Sequence, residues 1–252
     1  MHILCTNDDG ILSPGLQVLA SACRQVGEVT VVAPDREQSA QSHALTLTRP
    51  LRPVRRPDGT WQVDGTPTDC VLLAVEAPLM PERPRFVFSG INHGPNMGED
   101  VLYSGTVSAA MEATVVGIPG VAFSFAGRRD DLIEGHADLV SGLVRRIVSL
   151  RDVPSNTLLN INLPGIPADE VKGVRVVPLG SRFFQNGITR HQDPWGRDVY
   201  WVGGGTVKWS GEENTDHAVV REGYVAVTPL HLDLTAHARL DMVRGWALAL
   251  EE

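Results

Sequence analysis

Cysteine is scarce in this chain, with three in 252 residues, and Cys5, Cys23 and Cys70 stand apart in apolar segments. That spacing excludes a disulfide framework and a thiolate zinc cluster, and it reads as buried thiols. No window approaches eighteen consecutive apolar residues, and strand pattern begins almost at Met1, without a basic head, apolar stretch and cleavage site. Neither a membrane span nor a secretory leader is therefore expected, and the expected compartment is cytoplasmic. Positive charge is also short: 22 Lys plus Arg face 30 Asp plus Glu, a formal charge of -8. That balance argues against binding long nucleic acid, which needs a concentrated basic surface. Motifs of the forms GxGxxG, GxxxxGK[ST] and GxSxG are missing as well, which removes the dinucleotide turn, the P-loop and the nucleophile elbow. What the chain has in plenty is apolar residue, 42%, enough for a real core.

Residues 2–6 read as a strand, Ser13 and Pro14 as a helix start, and Leu16, Leu19, Ala20, Cys23 and Val26 as a buried stripe ending at Gly27. The run EVTVVAP at 28–34 is a second apolar strand, so a right-handed crossover with parallel strands is the default. Short alternating pieces between 45 and 65 predict a hairpin or two edge strands, kept from the sheet centre by Pro50, Pro53 and Pro57. A helix over 66–79, a strand RFVFSG ending at Gly90, a small-residue helix from Ser104, a strand VAFSFAG, a helix LVSGLVRRIVSL and a strand NTLLNINLPG complete a doubly wound pattern to about residue 164. The rest reads as an extension: strand-like VKGVRVVPL, DVYWVGG and VVREGYVAVTPLHLDL, polar loops HQDPWGRD and KWSGEENTDH, and a closing helix over 236–249. An arm exposing Trp195, Tyr200 and Trp201 requires a partner surface, so self-association is expected.

Parallel sheets place their ligand crevice beyond the carboxyl ends of the strands. Asp8 and Asp9 in ILCTNDDGILSPG follow the first strand, Ser39 and Ser42 follow the second, and Asn92 and Asn96 follow the third. Two ionised carboxylates about 4 Å apart repel by about 4 kcal/mol at an effective dielectric near 20. A cation relieves that repulsion, and an all-oxygen donor set suits a hard divalent ion such as Mg2+ or Mn2+. The helix start at Ser104, Gly105 and Thr106 offers free N–H groups to an anion, with Asn96 beside it. Together they predict hydrolysis of a phosphate ester by a metal-activated water, with one of the two aspartates accepting a proton. A triad from Asp35, Ser39 and His43 would need three groups of one short loop, and an aspartyl-phosphate route lacks a nearby lysine. A non-catalytic phosphate sensor on the same fold, or loops with only a structural role, remain the rivals.

NDDG, APDREQS at 33–39, SGINHGPN at 89–96 and YSGTVSAA at 103–110 together resemble the survival protein SurE family of metal-dependent phosphatases, and the likeness continues through GTPTDCV, NINLP and GYVAVTPL. The resemblance implies a three-layer α/β/α sandwich with a Rossmann-like, mostly parallel sheet and a C-terminal arm, in a single domain over 1–252. It implies hydrolysis of nucleoside 5′- and 3′-monophosphates, with polyphosphate as a further substrate in some members, by homodimers or homotetramers. Carried across, the metal ligands fall on Asp8, Asp9, Ser39 and Asn92, and the phosphate-side residues on Asn96, Ser104, Gly105 and Thr106, with Asn7 in the same turn. Ser42 and His43 are near enough in sequence to touch substrate. Where the family commonly has glycine after the ligand serine, this chain has Ala40. Phe183, Phe184, Tyr200 and Trp201 are candidates for stacking on a base or for an oligomer interface, and Arg36 for a phosphate contact.

Overall fold

A computed structural model of the chain describes residues 1–127, 130–185, 187–203, 206–210 and 213–246. Strand β1 (His2–Thr6) leads through a turn into helix α1 (Pro14–Arg24), then β2 (Glu28–Pro34), the short edge strands β3 (Pro53–Arg55) and β4 (Trp61–Val63), and α2 (Pro67–Glu76). Next come β5 (Phe86–His93), α3 (Gly105–Val115), β6 (Gly120–Ala126), α4 (Asp130–Gly135), α5 (Ala137–Ser149) and β7 (Leu158–Pro164). The C-terminal third adds β8 (Val174–Val176), β9 (Ser181–Gln185), β10 (Ile188–Gln192), β11 (Asp198–Val202), β12 (Thr206–Ser210), α6 (Asp216–Arg221), β13 (Val225–Leu230) and α7 (Leu240–Arg244).

Nine strands form one sheet in the order β3-β4-β2-β1-β5-β6-β7-β13-β8. Its pairs are parallel except β3 with β4 and β13 with β7. The period of two divides each central strand between two cores. Ile3, Cys5, Val31, Ala33, Phe86 and Phe88 face α1, α4 and α5, whereas Leu4, Val32 and Val87 face α2 and α3. The result is a three-layer α/β/α sandwich, as the alternation of strand and helix predicts. All three cysteines are buried and free. Burial raises the Cys70 thiol, and a hydrogen bond with Cys5 followed by burial raises that of Cys23, so they are core groups.

Local chemistry explains the helix starts. Ser13 and Ser104 cap α1 and α3, accepting from the N–H of Leu16 and Val107, and Thr66 with Asp69 forms a reciprocal capping box on α2. Small residues let helix and sheet close together: a Cβ on Gly120 would stand 2.0 Å from Ala110 O. Four expectations are corrected. Strand β5 runs past Gly90 to His93, because the chain keeps pairing with β6 across a register shift between Ser89 and Asn92. Val219 and Val220, read as strand, lie in α6, where they bury against Met97 and Val177. Parts of the two polar loops are paired strand, in β10 with β11 and β9 with β12. The closing helix is shorter, a single 3-10 turn at His237–Arg239 followed by α7, and residues 247–249 of the expected span lie outside the described residues. Trp195, Tyr200 and Trp201 are exposed on the β10–β11 arm. Among the described residues no helix is long and apolar enough to cross a membrane.

Candidate active site

The sheet changes winding direction between β1 and β5: the chain continues from β1 to β2 on one side, and from β5 to β6 on the other. This is where an open α/β sheet leaves a crevice. Asp8 and Asp9 emerge there from β1, and Asn92 sits near the end of β5.

Asp8, 3% exposed, packs on the first turn of α3. Thr106 Oγ1 donates to Asp8 Oδ1, and the backbone N–H groups of Gly105 and Thr106 also donate to this carboxylate. A Cβ on Gly105 would lie 2.8 Å from Asp8 Cβ, so glycine is what permits the approach. The helix start expected to receive an external anion thus already holds one, the Asp8 carboxylate. Burial nonetheless raises the Asp8 carboxyl above its ordinary range, outweighing those hydrogen bonds. Asp9 is pushed up to about 6, by burial first and by the charge of Asp8 second, while the His93 N–H, 3.1 Å from Asp9 Oδ2, works the other way. None of the described ion pairs involves either aspartate.

The loop after β2 is tied to this centre at both ends. Gln38 N donates to Asp8 O at 2.7 Å, and Ser42 donates to Tyr103 O from its N–H and to Leu102 O from Oγ. Between them, Ser39 is exposed and its Oγ donates to Glu37 Oε1 at 2.7 Å. Ala40 sits at φ +58°, in the left-handed region that glycine occupies without steric penalty. Asn92 Nδ2 donates to Gly94 O, which leaves its carbonyl oxygen as the ligating atom. Asp8, Asp9, Ser39 and Asn92 therefore present two carboxylates that no described Lys or Arg ion-pairs, a hydroxyl and an amide oxygen. That chemistry fits a hard divalent ion with part of its shell open to other oxygens. Among the described residues no three His, Cys, Asp or Glu side chains cluster as a metal site, so such an ion would depend on the neutral oxygens as well.

Other candidate residues are differently employed. Asn7 Nδ2 donates to Gly10 O and Ser13 Oγ, holding the turn between β1 and α1. The Ser104 Oγ serves as the cap of α3. His43 bonds Glu112 Oε2 at 2.7 Å and, with Ser42, lines a cavity on the outer side of α3. Arg36 is ion-paired with Asp35. The side chains of Phe183 and Phe184 lie outside what the structure describes, and Tyr200 and Trp201 lie on the exposed arm.

Asn96 is held more firmly than sequence indicated. Its N–H donates to Asn162 Oδ1 at 2.9 Å, its carbonyl accepts from the Nδ2 groups of Asn160 and Asn162, and its Nδ2 donates to Ser124 Oγ at 2.8 Å. Two residues on, Gly98 N donates to Asp216 Oδ2. That carboxylate is fully buried and also accepts from Gly180 and His217. The signal for Asn160 and Asn162 was present: asparagine is disfavoured inside strands, and here it alternates twice on a buried one. Asp216 gave none.

A switch-point crevice with two adjacent carboxylates at the end of β1, one of them against a helix start, defines the class, an α/β protein with an acidic crevice beyond the carboxyl ends of its parallel strands. Residues 3–186 match the family model for survival protein SurE. The 5′-nucleotidase SurE of Gemmatimonas aurantiaca is 57% identical, covering 98% of each chain. The 5′/3′-nucleotidase SurE of Serratia proteamaculans is 47% identical over 98% of this chain and 96% of its own. The crystal structure of the SurE protein from Aquifex aeolicus superposes with a TM-score of 0.84 at 40% identity, over 98% of this chain and 99% of the other. The chain belongs to the survival protein SurE family.

Proposed function

We propose that this protein is a 5′-nucleotidase, a phosphomonoesterase that hydrolyses nucleoside 5′-monophosphates, and 3′-monophosphates as well, to nucleoside and orthophosphate. The observation that carries the reading is the Asp8–Asp9 pair, with Asp8 buried against the start of α3 and Asp9 half-buried beside the end of β5 and in an ion pair with no described Lys or Arg, in a chain 57% identical to a curated 5′-nucleotidase. Asp8, Asp9, Ser39 and Asn92 would hold one divalent cation, Mg2+ or Mn2+. Bound there, it would supply the positive charge that polarises a phosphoryl oxygen and acidifies water.

The chain's own groups do the rest. Thr106 and the first N–H groups of α3 fix Asp8. Asn96, clamped by Asn160 and Asn162, offers a rigidly placed group to the phosphate. One aspartate takes the proton of the attacking water as its oxygen bonds to phosphorus. The P–O bond to the nucleoside breaks, and the leaving oxygen takes up the proton that the aspartate accepted. Loss of one positioned donor in such a site typically costs about 3 kcal/mol in the barrier.

The protein acts in the cytoplasm as a homodimer or homotetramer on small phosphorylated substrates, with the exposed aromatic arm and the charge of -8 supporting self-association over nucleic-acid binding. Phosphate release from a panel of nucleoside monophosphates, with Mg2+, Mn2+ or chelator, tests the reading. Turnover is expected with metal and abolished by chelator, and Asp8→Asn is expected to lose it at least a hundredfold. Full turnover by that variant at saturating metal would overturn the assignment.

A further inference from the structure

The ligands named above for the cation come from separate segments of chain, and two of these segments are fastened to the same helix. The first turn of α3 holds Asp8, through Thr106 Oγ1 and the N–H groups of Gly105 and Thr106. Two turns further along, Glu112 Oε2 lies 2.7 Å from His43 Nε2, and His43 belongs to the loop after β2 that carries Ser39. The helix rises about 10 Å from Gly105 to Glu112. It is thus a rigid spacer between the segment of Asp8 and the segment of Ser39.

The Glu112–His43 contact is not an ordinary surface pair. Glu112 is the one charged residue in α3, it is 6% exposed, and among the described residues His43 is its ion-pair partner. A carboxylate buried at that depth destabilises the fold unless it is paired, and a helix lying on a sheet has no need of one. The loop on the other side of the pair is held in a conformation that it would leave if freed. Ala40 at φ +58° and Ser42 at φ +54° both lie in the left-handed region, where residues with a side chain persist only when their surroundings fix them. Gln38 is tied to Asp8 O, and Ser42 to Tyr103 O and Leu102 O, but His43 makes the one described hydrogen bond from this loop to α3 itself. Between these ties Ser39 is exposed, its Oγ donating to Glu37.

We propose that Glu112 and His43 are positioning residues for the metal site: the pair latches the loop onto α3, so that the Ser39 hydroxyl is presented to the same cation as Asp8. Partners that orient a ligand typically contribute about tenfold or more to metal affinity. The inference rests on the reading of Asp8, Asp9, Ser39 and Asn92 as ligands in a nucleotidase, and it names what holds one of them in place. Calorimetric titration with Mn2+, together with melting of the metal-free protein, tests it. His43→Leu combined with Glu112→Met makes both partners apolar and strands no buried charge. Its Mn2+ affinity should fall about tenfold, with melting within a few degrees of wild type. His43→Gln, whose amide still donates to Glu112, should stay within threefold of wild type. Ser39→Ala should weaken Mn2+ binding about tenfold too, and adding the paired replacement to it should change affinity less than twofold, because the pair acts through a hydroxyl already removed. Losses that multiply, unchanged affinity in the paired variant, a His43→Gln protein as weak as that variant, or melting that collapses with the pair would each overturn the latch while leaving the ligand assignment intact. Wild-type protein that binds no Mn2+ and releases no phosphate from any nucleotide would sink the nucleotidase reading, and the latch with it.

Discussion

Asp9 is a carboxyl whose affinity for its proton is higher in the folded chain than in the unfolded one, about 6 against an ordinary value of 3.8, from burial and the Asp8 charge. Between those values the folded state binds more protons than the unfolded state, so this contribution to stability is present at low pH and is lost as pH rises through about 6. In chelator, Asp9→Asn should therefore gain in Tm relative to wild type between pH 4 and pH 7. A Tm difference that stays constant across that range would show that Asp9 carries no such burden. Single residues were legible where their chemistry is self-announcing: two consecutive acids at a strand end demand an explanation from sequence alone. Residues whose task is to hold others were not. Asn7 has the right type for a phosphate contact but is engaged by Gly10 and Ser13, whereas Asn160 and Asn162 act through Asn96, 64 and 66 residues away in sequence. Ala40 shows both faces of the problem. Its departure from the family's glycine was visible in the sequence, and its φ of +58° only in three dimensions.

At the scale of elements, the site depends on how closely α1 approaches β5. A Cβ on Gly15 would stand 2.0 Å from Ile91 O, and Ile91 adjoins Asn92. Backbone cannot yield as a flexible side chain does, so Gly15→Ala should cost about 3 kcal/mol and weaken Mn2+ binding through the displaced end of β5. Urea unfolding and calorimetric titration check the two parts, and unchanged stability would show that α1 is free to move. The central strands and α1, α3 and α5 were legible because sequence pattern, with serine caps at α1 and α3, agrees with burial. Strand β5 outran its prediction because Gly90, a turn residue by composition, lies inside a strand that still pairs beyond it. The Val219–Val220 pair favours strand by propensity, yet burial against Met97 places it in α6, a case of packing overriding propensity.

For the whole molecule, the C-terminal third is more than an appendage. Asp216 gathers N–H groups from the segment after β5 and the segment before β9, and Arg182 of β9 is ion-paired with Asp100 in the turn that leads to α3. The same third extends the β10–β11 arm with Tyr200 and Trp201 exposed. Light scattering coupled to size exclusion should give a mass of two or four chains, and replacing Trp201 and Tyr200 with serine should reduce it. A monomeric wild type would remove the reason for the arm. The architecture was readable from alternation of elements, but the contacts that link the C-terminal third to the segment between β5 and α3 join residues too far apart for any local pattern to reveal them. Anomalous diffraction from a crystal soaked in Mn2+ tests the central claim most directly. The account predicts one peak in contact with oxygens of Asp8, Asp9, Ser39 and Asn92, facing the start of α3. A crystal with no peak there, or with manganese held by other residues, would contradict it.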